Sequence, residues 1–304
     1  MIPVLAWFTF FVCFEPNNYF GLRQQTSSSQ PVARVRSYEK NPGTRLLLGD
    51  SRLAHMDEAL IEQVCGEQWQ NLAFGGASLK EVLDLAEHIL DSGNPVDSMT
   101  VELTFYNLNA GYNTDRFADL EKTLQNPLAY CFNLEYNINA LTACKDWLLH
   151  TPDTAETGTW TEQDYYDSEG NPIPVHRHLY EYIDKIMPKC ESWTVSDQLQ
   201  RIPVLAERCR QQGIRLVLVM PPMAQLVRTR VCQPCGIEDA MLGQVLPQLQ
   251  IWQQEYGYTL LDYEWSGSCI TDDDTQFFDG FHLDEVTGLP LWTQQLFTDI
   301  YSGF

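Results

Sequence analysis

Apolar positions recur along the chain in two rhythms. From Thr44 onward, short apolar runs of the kind that fill a parallel sheet alternate with stripes at helical spacing. The runs are Arg45-Leu-Leu-Leu48, Asn71-Leu-Ala-Phe74, Met99 to Phe105, Ile214 to Met220 and Thr259-Leu-Leu-Asp-Tyr263. Leu53, Met56, Leu60, Ile61 and Val64 form the first stripe, and Leu79, Val82, Leu83, Ala86, Ile89 and Leu90 the second. Ser78 with Glu81 three residues on predicts a capping box at the start of that second helix. Ile237 to Leu249 and Leu291 to Tyr301 continue the pattern. Five strands separated by helices predict an α/β protein: three layers, with a five-stranded parallel sheet between helices.

Two stretches break the rhythm. Residues 107–200 are too long for one crossover, with a helical pattern over Phe117 to His150 and a polar, Gly- and Pro-bearing tract over Thr151 to Pro174. They predict an insertion after the third strand, at the strand ends where α/β proteins place their ligand loops. Met1 to Phe14, MIPVLAWFTFFVCF, carries Thr9 as its only polar side chain. As a helix it would span about 21 Å, against about 30 Å of bilayer hydrocarbon. It has no basic n-region and no cleavage site. The expected reading of 1–14 is a truncated membrane anchor or signal-like segment, with a terminal core element as the alternative. Residues 15–43 then read as a polar stalk and 44–304 as the α/β domain.

Composition narrows the functions. Against 19 Lys and Arg stand 41 Asp and Glu, a net charge of −22. Such a body repels phosphate backbones, so nucleic-acid binding is not expected. The nine cysteines contain one CxxC, Cys232-Gln-Pro-Cys235, without the second pair or nearby His a structural zinc needs. A local disulfide or plain loop cysteines are expected there, ahead of redox or metal chemistry. His176-Arg177-His178 and Asp272-Asp-Asp274 are each expected as surface features rather than metal sites. Trp160, Tyr165, Tyr166 and Tyr180 are read first as packing residues and second as a carbohydrate platform.

Two short motifs carry chemistry. Gly49-Asp50-Ser51-Arg52 falls at the first strand-to-helix junction, where a serine is exposed at the sheet's carboxyl edge and its own N–H can meet an oxyanion. Asp279-Gly-Phe-His282 lies before the final helix, placing a carboxylate where it can hold one imidazole nitrogen while the other faces a serine. Each alone is commonplace, as an N-cap or a turn. Together they fall at the same edge of a doubly wound sheet. Asp50 is expected to bond backbone near the turn, and Arg52 either to anchor that turn on a carboxylate or to meet an anionic substrate group. His55, one turn on, is expected on the helix surface.

On these residues the chain resembles the SGNH (GDSL-type) hydrolase superfamily. Gly49-Asp50-Ser51 matches its nucleophile block and Asp279 with His282 its closing block. Asn71-Leu-Ala-Phe-Gly-Gly76 resembles the glycine block, picking Gly76 over Gly75. In the third block the usual Gly is absent from Val101-Glu-Leu-Thr-Phe-Tyr-Asn107, leaving Asn107 first and Asn109 as fallback. The resemblance implies a flavodoxin-like sheet and Ser51, His282 and Asp279 as a catalytic triad. It also implies an oxyanion hole from Ser51, Gly76 and Asn107, with Asp50 and Arg52 behind, and no cofactor or metal. Arg52 and Pro221-Pro222 are similar to a membrane-anchored branch that acylates bacterial envelope polymers, of the D-alanyl transfer protein and alginate O-acetylation type. That likeness implies serine-dependent acyl transfer or ester hydrolysis on a glycan or polyol at the extracytoplasmic face of the cell membrane. It further implies a membrane-bound O-acyltransferase partner and attachment through the N-terminus. The insertion is expected to roof the site and favour transfer over hydrolysis. The alternative is a non-catalytic scaffold of the same fold.

Overall fold

A computed structural model describes residues 2–22, 30–149, 176–266 and 276–302, with the side chains of Ile2 and of 176–180 excepted. In chain order the elements are α1 (Ile2–Phe14), α2 (Pro31–Lys40), β1 (Arg45–Leu48), α3 (Ser51–Ala54), α4 (Glu58–Cys65), β2 (Gln70–Asn71) and α5 (Leu79–Asp91). There follow β3 (Ser98–Glu102), α6 (Phe117–Gln125), α7 (Pro127–Cys131), α8 (Leu134–Leu149), α9 (His176–Cys190), α10 (Ile202–Gln212) and β4 (Arg215–Met220). The chain ends through α11 (Gln225–Val227), α12 (Ile237–Ala240), α13 (Leu246–Tyr256), β5 (Thr259–Asp262) and α14 (Gly288–Ser302). Two compact units result: a helical one, Met1–Asn41 with Arg116–Gly158, and an α/β one, Pro42–Asp115 with Thr159–Phe304.

The α/β unit is built on an all-parallel five-stranded sheet of order β2-β1-β3-β4-β5. Leu46, Leu47, Val101, Val217, Leu218 and Val219 are wholly buried, as the apolar runs require of strands covered on both faces. α4 packs with α14, and α10 with α5 and α13, giving the two helix layers of a flavodoxin-like three-layer fold. The predicted capping box is present: Ser78 Oγ accepts from Glu81 N at 3.2 Å, and Glu81 Oε2 from Ser78 N at 3.0 Å. The strand order reverses between β1 and β3, the position where such sheets open a crevice at their carboxyl ends.

Some elements differ from expectation for local reasons. The first stripe is two helices, because Asp57 caps a fresh start by accepting from Ala59 N at 2.9 Å. β2 is only two residues long, although Leu72 N still donates to Leu47 O (2.8 Å) and Phe74 N to Gly49 O (3.1 Å). The helix from Ile237 to Tyr256 contains a π-helical turn over Met241–Val245. Residues 15–43, expected as a polar stalk, include α2 and bury Glu15, Asn17, Tyr19, Val32, Val35 and Tyr38 in the helical unit. There Glu15 Oε2 accepts from Tyr130 Oη at 2.5 Å and from Asn17 N at 2.9 Å. The expected insertion is divided between the units: 116–158 joins the N-terminal segment, and the rest belongs with the sheet. Among the described residues no helix is long and apolar enough to cross a membrane.

Candidate active site

The site forms at the carboxyl end of β1, beside the switch point. Gly49 leads out of the strand so close to β3 that a Cβ there would sit 2.7 Å from Glu102 Cβ and overlap its carboxylate. Only glycine fits. Asp50 then caps α3, its Oδ1 accepting from Arg52 N at 2.9 Å, and its own N–H donates to Glu102 Oε2 at 2.7 Å. This double tie fixes the turn that presents Ser51, which is half-buried.

Ser51 Oγ lies 2.7 Å from His282 Nε2. On the other ring edge, His282 Nδ1 is 2.9 Å from Asp279 Oδ2 and 3.0 Å from Oδ1. Asp279 Oδ1 also accepts from Phe281 N (2.8 Å) and His282 N (2.7 Å), so the three-residue spacing closes a tight turn around the carboxylate. Burial works against the His282 cation, but Asp279 outweighs it and holds the imidazole above its usual value. Burial likewise disfavours the Asp279 anion, yet His282 and the turn's N–H groups hold it below the usual carboxylate range. The arrangement can take a proton from a serine hydroxyl and stabilise the resulting imidazolium.

These residues open on a narrow cleft lined by Ser51, Arg52, His55, Pro221, Pro222, Phe281, His282, Leu283, Leu289 and Trp292. Its walls are largely apolar. Arg52 Nη2 and Trp292 Nε1 are buried donors with no hydrogen-bond partner among the described residues, and both belong to lining residues. Such donors are costly unless an acceptor arrives.

Arg52 is 3% exposed and anchors the turn from below. Its Nε donates to Glu102 Oε1 at 3.2 Å and its Nη1 to Glu264 Oε1 at 3.4 Å, while the guanidinium lies 4.0 Å above the Phe281 ring. Burial opposes this cation too, but Asp50, Glu102 and Glu264 together raise its pKa. Three carboxylates share one guanidinium. Burial and the Asp50 charge push Glu102 well above the carboxylate range, and burial pushes Glu264 up to about 7. Glu264 Oε2 accepts from Phe105 N (3.0 Å) and Trp265 Nε1 (2.8 Å), joining β5 to the turn after β3.

Gly76 sits in the loop after β2 at φ +64°, with its carbonyl accepting from Tyr112 Oη at 2.7 Å. Asn71, which ends β2, donates from Nδ2 to Leu53 O at 2.7 Å and thereby ties that strand to α3. Asn107 is wholly buried. Its Oδ1 accepts from Thr104 N (2.9 Å) and its Nδ2 donates to Glu102 O (3.4 Å), so this amide braces the turn after β3. Asn109 Nδ2 donates to Lys189 O at 3.1 Å and its Oδ1 accepts from Gly111 N at 2.9 Å. Neither asparagine lines the Ser51 cleft. The structure thus gathers Ser51, His282 and Asp279 at one point, with Asp50 and Arg52 beneath, and engages both asparagine amides elsewhere.

Two expectations need correction. His55 is a cleft residue, its ring 6.2 Å from that of His282, with Nδ1 2.9 Å from Glu285 Oε1. The short α3 ends at Ala54, which turns His55 back toward the site instead of along a helix surface. Cys232 and Cys235 are free thiols; the expected loop is helical through Cys232, and Cys235 Sγ lies 3.8 Å from Met187 Sδ. From the insertion, α9 brings Tyr182 to 5.5 Å from the Phe281 ring. Trp160, Tyr165, Tyr166 and Asp272–Asp274 lie outside the described residues, as do the side chains of His176, Arg177, His178 and Tyr180.

Glu102 and Glu264 are the site residues that sequence reasoning missed. Each is a lone carboxylate inside an apolar stretch, Val101-Glu-Leu103 and Tyr263-Glu-Trp265. A buried acid needs a buried partner, and that demand was the available signal.

Compared with known families and with curated proteins, the chain matches no family profile and no curated sequence.

Proposed function

We propose that the chain is a serine-dependent acyl-transferring enzyme of the SGNH type. The observation that carries this reading is the 2.7 Å approach of Ser51 Oγ to His282 Nε2, with Asp279 on the opposite ring nitrogen. In the proposed reaction His282 takes the Ser51 proton as Oγ attacks an ester or thioester carbonyl. Asp279 holds the tautomer and stabilises the imidazolium, and the Ser51 and Gly76 backbone N–H groups receive the oxyanion. The intermediate collapses as the C–O or C–S bond breaks, His282 giving its proton to the departing alcohol or thiol. The acyl-serine then passes to water or to a sugar or polyol hydroxyl whose proton His282 takes in turn. The apolar cleft wall favours an acyl group over a peptide. By the resemblance described above, the substrate is an acylated envelope glycan or polyol, and the protein works at the extracytoplasmic membrane face. Attachment is through the N-terminal segment, alongside a membrane-bound O-acyltransferase.

One observation favours the competing scaffold reading: the Asn107 and Asn109 amides are both engaged with backbone and neither residue lines the Ser51 cleft, so neither amide is placed as the expected oxyanion donor. A fluorophosphonate probe separates the two. Labelling that disappears in Ser51→Ala is the expected result, and a wild-type chain that never labels sinks the enzyme. Turnover of a small acyl ester with and without a polyol acceptor then distinguishes transferase from esterase.

A further inference from the structure

We infer that the helical unit as a whole, and not only its first helix, is a lipid-facing surface, with α8 lying in the membrane interface beside α1. This extends the membrane attachment proposed above. Among the described residues sixteen large apolar side chains are exposed, and only Val204, Leu242, Ile251 and Val286 belong to the α/β unit. The other twelve fall in the smaller helical unit, a density of exposed apolar side chains that marks an interaction surface.

The helices that carry them are built for lipid. α1 runs along α8: Trp7 Nε1 donates to Asn137 Oδ1 at 3.0 Å, and the Phe14 and Trp147 rings are 5.8 Å apart. Phe11 fills the seam, leaving Val4 and Leu5 outward at 63% and 60% exposure. On α8 the exposed residues include Leu134, Ile138, Leu141 and Leu148 at helical spacing, with Trp147 and Leu149, interspersed with the polar Glu135, Asn139, Thr142 and Lys145. Exposed hydroxyls on both helices bond back to their own helix backbone. Thr9 Oγ1 donates to Leu5 O and Thr142 Oγ1 to Ile138 O, as side-chain hydroxyls do where water is absent. Asn137 spends Nδ2 on Cys131 O and Asn133 O.

Composition and charge choose the occupant. α1 is an uncharged helix with apolar residues on all sides, which has no face suited to water. The helical unit holds seven basic and eight acidic side chains, whereas the α/β unit holds twelve and 33. An anionic bilayer repels the second and tolerates the first. α8, bearing Glu135, Lys145 and Asp146 among its apolar residues, suits the headgroup boundary, where a lysine can reach back to water.

The test is flotation of the full chain with vesicles of phosphatidylethanolamine containing a minor fraction of phosphatidylglycerol. Wild type should float, and Ile138→Glu/Leu141→Glu should lower the bound fraction at least about tenfold, since two carboxylates must leave lipid contact. Both positions are exposed, so thermal unfolding followed by circular dichroism should match wild type. If the double variant floats like wild type while Val4→Glu is released, α1 alone anchors the chain and the inference fails, with the attachment reading intact. A wild type that does not float overturns both. Concentration-dependent self-association abolished by the double variant would mean that a second copy covers the patch, and would also overturn it.

Discussion

Two buried clusters of carboxylate and cation lie back to back around Ser51, and they are balanced differently. In the outer one, Asp279 faces His282, a single acid on a single base, and each favours the other's charged form. In the inner one, Asp50, Glu102 and Glu264 surround Arg52 alone, so burial outweighs the cation and raises the pKa values of Glu102 and Glu264. A paired group can move a proton during a reaction. An overloaded cluster holds backbone: Glu102 takes the Asp50 N–H and Glu264 the Phe105 N–H, at the ends of β1 and β3. The outer cluster is accordingly the candidate for chemistry and the inner one for positioning.

The sharpest way to break this comparison is Asp279→Asn. If the outer pair does the chemistry, ester turnover should fall by about 10⁴-fold with the fold intact, through loss of the correct imidazole tautomer. The pH profile sharpens the test. His282 must be neutral to accept a proton, so activity should rise with pH through a midpoint above its usual 6.5. Without the Asp279 charge that midpoint should move down. An unchanged midpoint would mean that another group is the base.

Arg52→Met attacks the inner cluster. Three carboxylates would be left without their cation, a change that costs about 3–5 kcal/mol when a buried pair is broken. Urea unfolding should report the loss, and a stability within experimental error of wild type would show that the carboxylates are already neutral. The second effect is pH dependence. Glu264 rises from 4.5 to about 7 on folding, so the folded state binds its proton more tightly than the unfolded chain does. The associated stability is fully present below the unfolded value and lost as pH climbs toward the folded one, about 3 kcal/mol in all. Raised values of Glu102 and His282 act in the same direction. Stability should therefore fall between about pH 5 and pH 8, and Glu264→Gln, though less stable at baseline, should flatten the slope.

The outer cluster was legible in the sequence and the inner one was not. Ser51 and the Asp279–His282 pair lie in short motifs at strand ends, where a three-residue spacing sets the geometry by itself. Glu102 and Glu264 reach Arg52 across 50 and 212 residues, contacts that only the sheet order creates. The five strands were readable because parallel strands buried on both faces are plain apolar runs. His55 was misread because a helical period was extended past Ala54, where Asp57 starts a new helix. The helical unit escaped notice for a related reason. α2 and α6 pack together only through a long excursion of the chain, and nothing local in residues 15–43 announces Tyr19 Oη donating to Leu124 O at 3.0 Å.

The smallest expected effect separates a structural glycine from a working one. Gly76 holds φ +64°, and a Cβ there would meet Tyr112 Oη at 3.1 Å. Gly76→Ala should cost about 1–2 kcal/mol of stability from the left-handed backbone alone. If that strain is all that changes, fluorophosphonate labelling of Ser51 should persist with turnover reduced only in proportion to the folded fraction. If the Gly76 N–H meets the oxyanion, the displaced peptide should lower kcat by about 10²–10³-fold while KM stays near its wild-type value, because that donor acts in the transition state and not on the bound ester. Tyr112→Phe removes the hydroxyl that grips the Gly76 carbonyl and keeps the glycine, so it should show the same split in weaker form. A Tyr112→Phe variant with wild-type kcat would leave Gly76 as a turn residue and assign the oxyanion to another donor.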